Sequence, residues 1–445
     1  MNIILQLIFA VALGVTAFLF AKRIKFIRRN ILLGRDLDRS DRKDERWKLM
    51  FKVAVGQSKM VVNPIAGALH IVVYLGFLIV NVEMIEIVVD GLFGTHRFLS
   101  TILGSFYDVL VASFEFFAVG VILACAIFLI RRNVLNIKRF LGKEMTSWPK
   151  SDANIILVVE ILLMSAFLIM NATDGILQTR GAEHYSQAGS FPISSIFTGI
   201  FNGMSDGALI AIERIAWWFH ILGVMAFLVY VTYSKHFHIM LAFPNVWYSK
   251  LTAKGKLDNN QDVKKEVEMM LDPNADPFAA PAPDANAAPP APFGAKDVKD
   301  LTWKSIMDGY TCTECGRCTD NCPANMTGKL LSPRKVMMDV RDRADEFGKN
   351  IDCNKGEFKE DGKSLLGDYI TAEELWACTS CNACVEACPV NNDPLAVIMD
   401  LRRFLVMEES KAPMELNLMM QNIENNQAPW QFSPQDRFNW ATEDD

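Results

Sequence analysis

Residues 312–323 read Cys312-Thr-Glu-Cys315-Gly-Arg-Cys318-Thr-Asp-Asn-Cys322-Pro323, and residues 378–389 read Cys378-Thr-Ser-Cys381-Asn-Ala-Cys384-Val-Glu-Ala-Cys388-Pro389. Both follow C-x2-C-x2-C-x3-C-P. A cubane 4Fe–4S cluster is held by four thiolates. Three closely spaced cysteines wrap three corners in one tight loop, and the fourth, a helical turn on, typically reaches the other cluster. This assigns Cys312, Cys315, Cys318 and Cys388 to one cluster and Cys378, Cys381, Cys384 and Cys322 to a second. Zinc also accepts four thiolates, but usually from two separated pairs; the triple-plus-one spacing, the trailing prolines and the duplication favour iron–sulfur clusters. Nine of the ten cysteines lie between Cys312 and Cys388, which is not the distribution of an extracellular disulfide scaffold. Cys353 fits neither motif, and Cys125 reads as a small apolar residue.

The rest of the 445 residues has a different character. Apolar residues make up 51% and charged residues 22%, with mean hydropathy +0.16 and net charge −6. The acidic balance argues against nucleic-acid binding. Five stretches before residue 243 have the length of a membrane-crossing helix, about 20 residues: Ile3–Ala21, Met60–Val89, Phe106–Ile130, Ala153–Met170 and Leu209–Tyr233. The first reads as a retained helix rather than a signal peptide, because its basic cluster follows it. That cluster includes Lys22, Arg23, Arg28, Arg29 and Arg35; the third connection carries Arg131, Arg132, Lys138 and Arg139, and Lys235 and Lys250 follow the fifth stretch. The intervening connections carry few basic residues. By the positive-inside rule the N-terminus is outside and everything after the fifth helix is cytoplasmic.

Polar residues within such spans are candidates for function. His70 lies in the second span and His220 in the fifth, with His236 and His238 just beyond it; His96 and His184 read as solvated loop residues. Neutral imidazoles on two helices suit axial ligation of haem iron, and Gly67, Ala68 and Gly76 offer a flat macrocycle close approach to the second helix. At 1.5 Å per residue His70 lies roughly 16 Å past Lys59, and His220 roughly 22 Å before Lys235, so those two depths agree, whereas His238 looks shallower.

The second and fifth spans resemble the gamma subunit of respiratory nitrate reductase and the related membrane subunit of heterodisulfide reductase. The resemblance rests on Lys59-Met-Val-Val-Asn-Pro-Ile-Ala-Gly-Ala-Leu-His70, and on Trp217-Trp-Phe-His220 with Tyr233-Ser-Lys-His-Phe-His238, whose two histidines stand eighteen residues apart. It implies b-type haem ligation by His70, His220 and His238, and pairs His70 with His238, leaving His220 to a second haem or to packing. Where two-haem members carry a further histidine, this chain has Val80. The cysteine half, roughly residues 300–410, resembles the α-helical dicluster ferredoxin module of succinate dehydrogenase and heterodisulfide reductase. Within it Leu331–Arg343, Thr371–Trp376 and Leu395–Met407 read as helices. The tail around Asn422–Trp430 and Arg437–Trp440 looks like the segment that follows that module in heterodisulfide reductase-like proteins, and reads as a docking segment for a partner.

The expected architecture is therefore all-α: a five-helix transmembrane bundle (residues 1–245), a charged helix and Pro/Ala-rich linker (246–298) acting as a semi-rigid tether, a two-cluster ferredoxin domain (299–410) and a partner-docking tail (411–445). The expected function is electron transfer between cytoplasmic clusters and haem b, one or two, with menaquinone as membrane substrate in a bacterial inner membrane. No nucleophile–base pair or nucleotide loop is apparent, so the two-electron chemistry is expected on another subunit, either a cysteine-rich heterodisulfide reductase-like protein or a flavoprotein such as an electron-transfer flavoprotein. A redox sensor and a structural anchor are the alternative readings.

Overall fold

The computed structural model describes residues 3–253, 255–274 and 292–441. Among these there are no strands. The main helices are α1 (Ile3–Ile31), α2 (Lys43–Met50), α3 (Pro64–Phe93), α4 (Ser105–Asn133), α5 (Ser147–Thr179), α6 (Asp206–Val231), α7 (His238–Trp247), α8 (Gln261–Leu271), α9 (Trp303–Thr311), α10 (Pro333–Cys353), α11 (Pro394–Met407) and α12 (Met414–Asn426). Helices α1, α3, α4, α5 and α6 are long and apolar enough to cross a membrane. In lipid a helix satisfies its own backbone, so apolar length suffices to specify it.

The ends follow local chemistry. Pro64 sits in the first turn of α3, and Gly94, at φ +72°, ends it by donating its N–H to the Asp90 carbonyl at 2.8 Å. The Ser205 hydroxyl caps α6 by accepting from the Ala208 N–H. Small residues set the packing distances. A Cβ at Gly223 would lie 2.5 Å from Leu163, which lets α6 pack closely against α5. At Gly76 it would lie 2.8 Å from Val121 of α4, and at Gly67, 2.7 Å from the Met60 carbonyl. Both glycines allow close packing, and Gly76 also lines the large cavity described below.

In the cysteine half, α9, α10 and α11 are capped by Thr302, Ser332 and Asp393, each accepting a backbone N–H of the first turn. This half sits directly on the bundle. Ile27, Ile31, Val231 and Phe237 from the membrane half share one apolar core with Ile306, Met307 and Tyr310. Asn30, fully buried at the end of α1, donates to the Tyr310 oxygen at 2.9 Å and to the Ala344 carbonyl at 3.1 Å. Arg23 pairs with Asp345 at 2.8 Å, and Arg35 exchanges backbone bonds with Leu301 and Trp303. Residues of the basic cluster after the first span thus bind the cysteine half.

Of the Pro/Ala-rich segment, residues 275–291 lie outside the described residues. Its end is built into the cysteine half, where the Ala295 N–H donates to the Asp400 carbonyl at 3.0 Å. The charged helix expected before it is α8. Beyond α11 the tail forms α12 and a 3-10 turn over Pro434–Ala441, leaving Trp430 and Trp440 exposed.

Candidate metal centres

The two cysteine loops have the same backbone. In the first, Glu314 and Gly316 take φ +52° and +76°; at the matching positions of the second, Ser380 and Asn382 take +56° and +64°. Left-handed residues at these two places curl the chain tightly between the cysteines of each loop. A Cβ at Gly316 would lie 2.6 Å from the Arg334 guanidinium, so the first loop needs glycine there.

The structure groups the cysteines across the loops. Cys312 has Cys388 and Cys315 as charge neighbours, while Cys322 has Cys378 and Cys381. Cys384 has Cys378 and Cys322, and Cys318 feels Cys384 as well as its own group, so the two cradles adjoin. Among the described residues, no three of His, Cys, Asp or Glu stand close enough to share a single metal ion. A cubane does not require that, because each of its thiolates binds a different iron. Burial pushes the Cys312 and Cys388 thiols up to about 12 and also raises Cys318, Cys322 and Cys384. Iron would supply the positive charge that lets these groups exist as thiolates. The Ser380 N–H donates to Cys378 Sγ at 3.4 Å and the Asn392 N–H to Cys388 Sγ at 3.3 Å, contacts that would tune the potential of a cluster held there. Cys353 ends α10 exposed, and Cys125 is buried in the bundle.

The first loop faces the membrane half. A cavity of about 430 Å³ is lined by His70, His220, His236 and His238 and reaches Cys315 and Pro389. His238 Nδ1 lies 3.1 Å from the Lys235 carbonyl and His220 Nδ1 lies 2.9 Å from the Leu163 carbonyl. Bonding of that kind fixes the ring and frees Nε2 as a ligand. Burial holds His238 below its usual range and lowers His236 to about 3, so both imidazoles are neutral, as metal ligation requires. His238, not His220, is a charge neighbour of His70, whose Nδ1 is buried without a partner. His236, to which the sequence assigns no role, shares this neighbourhood. The Nε atoms of Arg132 and Arg139, both on the cavity wall, are also buried and unpartnered. Neutral imidazoles with arginines at one end fit a porphyrin with its two carboxylates.

Loop and cavity are clamped together. Glu314, in the first loop, is paired with Lys235 and, at 2.7 Å, with Arg341. Burial opposes its charge, but Arg341 and Lys235 outweigh burial and hold its carboxyl below the usual range. Arg317 donates to the Lys59 carbonyl at 2.7 Å, and Lys59 reaches the Cys388 carbonyl at 3.1 Å.

The opposite end of the bundle holds a polar cluster that sequence reasoning missed. Arg97 pairs with Asp174 and donates to Asn171 at 3.0 Å and Tyr107 at 3.2 Å. Glu115 accepts from Asn171 and from the backbone of Ile193 and Ser194. His96, expected as a solvated residue, packs on Tyr185 with Nε2 3.2 Å from Asp174. Acidic residues inside the apolar runs, Glu83, Glu86, Glu115 and Glu213, were the available signal.

Residues 311–392 match the family model described as 4Fe-4S dicluster domain. The chain is 29% identical to "Probable iron-sulfur-binding oxidoreductase FadF" of Bacillus subtilis, an alignment covering 98% of this chain and 61% of that protein. It is 26% identical to "EtfAB:quinone oxidoreductase" of Syntrophomonas wolfei, over 99% of this chain and 59% of the relative. Over 24% of its length it is 31% identical to one subunit of the ferredoxin/F(420)H(2)-dependent CoB-CoM heterodisulfide reductase of Methanosarcina acetivorans, of which 52% is covered. The chain thus spans about three fifths of the first two relatives. No solved structure matches it. The match to a dicluster domain supports two 4Fe–4S clusters, and the chain as a whole is related to iron–sulfur oxidoreductases.

Proposed function

We propose that the chain is a membrane electron-transfer subunit linking cytoplasmic 4Fe–4S clusters to haem b and menaquinone in a bacterial inner membrane, with its N-terminus outside. The observation that carries this reading is the cavity that joins His70 and His238 to the first cysteine loop. A porphyrin iron there would take up and return one electron at a time. Lys235 orients the His238 ring through its backbone carbonyl while its side chain grips Glu314, so one residue fixes the histidine relative to the first cysteine loop. Arg132 and Arg139 would bind the porphyrin carboxylates. His220 is oriented as a ligand and would serve a second haem. Cys312, Cys315, Cys318 and Cys388 hold the cluster nearer the cavity, and Cys378, Cys381, Cys384 and Cys322 the more distant one.

The more distant cluster would meet a soluble redox partner, a cysteine-rich heterodisulfide reductase-like protein or an electron-transfer flavoprotein. The quinone assignment draws support from the name of the Syntrophomonas wolfei relative. The test is a pyridine haemochrome assay with iron and sulfide counts on the purified full chain. Two four-iron clusters predict about eight cluster irons alongside at least one haem. Zinc in place of iron, with no haem, would overturn the reading.

A further inference from the structure

The polar cluster at the end of the bundle remote from the cysteines lines a second, smaller and partly open cavity of about 40 Å³. Five carboxyls line it, Glu83, Glu86, Asp90, Asp174 and Glu213, against two guanidiniums, Arg97 and Arg214. Most of these groups are accounted for. Glu86 accepts from Tyr107 and the Leu99 N–H. Asp90 accepts the N–H groups of Arg97 and Phe98. Asp174 pairs with Arg97 and His96, and Glu213 with Arg214 and Tyr185.

Glu83 is different. It is 3% exposed, and its Oε2 has no partner. A buried carboxylate without a partner is costly, whereas a carboxyl carrying its proton is tolerated. The charged and titratable groups around it are Glu86 and Asp90 on its own helix, His96 and Arg97 from the loop, Tyr107 and Glu115 from α4, Asp174 from α5, and Glu213 and Arg214 from α6. His96 carries a second unpartnered atom, Nδ1. A water needs roughly 10–15 Å³ and a few polar neighbours, so the cavity has room for about three.

We propose that this cavity is a proton-exchange site, in which Glu83 takes up and gives back a proton through water in the cavity and His96. The inference rests on the quinone reading above. A hydroquinone that gives up two electrons also gives up two protons. The electrons pass to the iron centres. The protons leave singly: Glu83 first gives its own proton to water, an O–H bond then forms on the vacated carboxylate as one on the quinol oxygen breaks, and the cycle repeats for the second proton. Quinone reduction runs the same steps in reverse. The position suits the task. Val80 and Met84 line the large cavity, while Glu83 and Ile87 line the small one. On α6, His220 and Trp217 divide the same way, so about one helical turn separates electron and proton spaces.

The test uses the purified full chain. Electrochemical infrared difference spectra of the wild type should show a protonated-carboxyl C=O band that responds to the redox change, shifts in D2O and vanishes in Glu83→Gln. Bleaching of cluster absorbance by a water-soluble menaquinol analogue should slow at least tenfold in E83Q, while the optical spectrum and reduction by dithionite match the wild type. Glu83→Asp should recover part of the rate. Equal menaquinol rates in E83Q, with the band unchanged, would overturn the proposal. So would a wild-type rate that saturates with sodium at fixed pH, which would make the cavity a cation site. If menaquinol bleaches neither protein, the quinone reading fails, and the infrared band alone decides whether Glu83 exchanges a proton.

Discussion

Replacing Glu314 by glutamine tests the junction between loop and cavity. The carboxylate is almost wholly buried between Lys235 and Arg341. Removing one member of a buried ion pair typically costs about 3–5 kcal/mol, mostly from leaving the partner charge uncompensated. Here both cations keep something. Lys235 still donates to the Pro149 carbonyl and stands 3.8 Å from Asp152, and Arg341 keeps Asp342 at 2.9 Å. The expected loss is therefore at the low end, about 3 kcal/mol. At roughly 2 °C per kcal/mol for a large domain, that lowers the melting temperature by about 6 °C. The assay is thermal loss of visible cluster absorbance in detergent, with Lys363→Ala as control. The Lys363–Glu346 pair is exposed, so its removal should cost less than about 1 kcal/mol. The pH dependence has a definite sign. Because the folded carboxyl lies below the ordinary glutamate value, its contribution is complete above about pH 4.3 and disappears as pH falls through the lowered folded value. The gap between wild type and E314Q should close over that acid range. A melting temperature for E314Q no lower than that of K363A would refute this account of the clamp.

Other outcomes follow from the same geometry. His70→Ala should remove the haem it shares with His238, read as a lower haem-to-protein ratio in a pyridine haemochrome assay, and leave both clusters intact by electron paramagnetic resonance. Cys388→Ser and Cys322→Ser should each remove the signal of one cluster, and the two lost signals should differ. Gly348→Ala would place a Cβ 2.3 Å from Asn30 Oδ1 and should cost about 1–3 kcal/mol, read as a lower melting temperature that Asn30→Ala partly restores.

The parts of this fold most legible in sequence were those where chemistry dictates spacing. The cysteine loops are fixed by the needs of a cluster, and the cores of the membrane helices by hydropathy. Helix ends were less legible, for two reasons. Hydropathy stopped the first span at Ala21, yet α1 runs to Ile31 because Arg23 and Asn30 find partners in the cysteine half. It stopped the fourth at Met170, yet α5 continues to Thr179 through Asn171, Thr173 and Asp174, which are buried. Their partners, such as Arg97, come from distant segments and leave no local pattern. His236 was overlooked because only the fold brings it beside His238 and His70. The depth estimate favours His220 beside His70 and places His238 at a different depth, yet all three line one cavity, because the chain turns at Ser234–Phe237 and carries His238 to its wall.

The hydrogen bond from Asn30 to Tyr310 joins residues 280 apart in the chain. At about 5–20 residues per second, the ribosome makes Asn30 roughly 15–55 s before Tyr310. Through that interval the Asn30 amide at the end of α1 waits for the residues that receive its hydrogen bonds, Tyr310 and Ala344. Assembly of this contact therefore runs backwards along the chain, the later-made module closing over the earlier-made helix. A block in iron delivery that keeps the late module unfolded would then strand an inserted but incomplete membrane helix as a target for quality-control proteolysis.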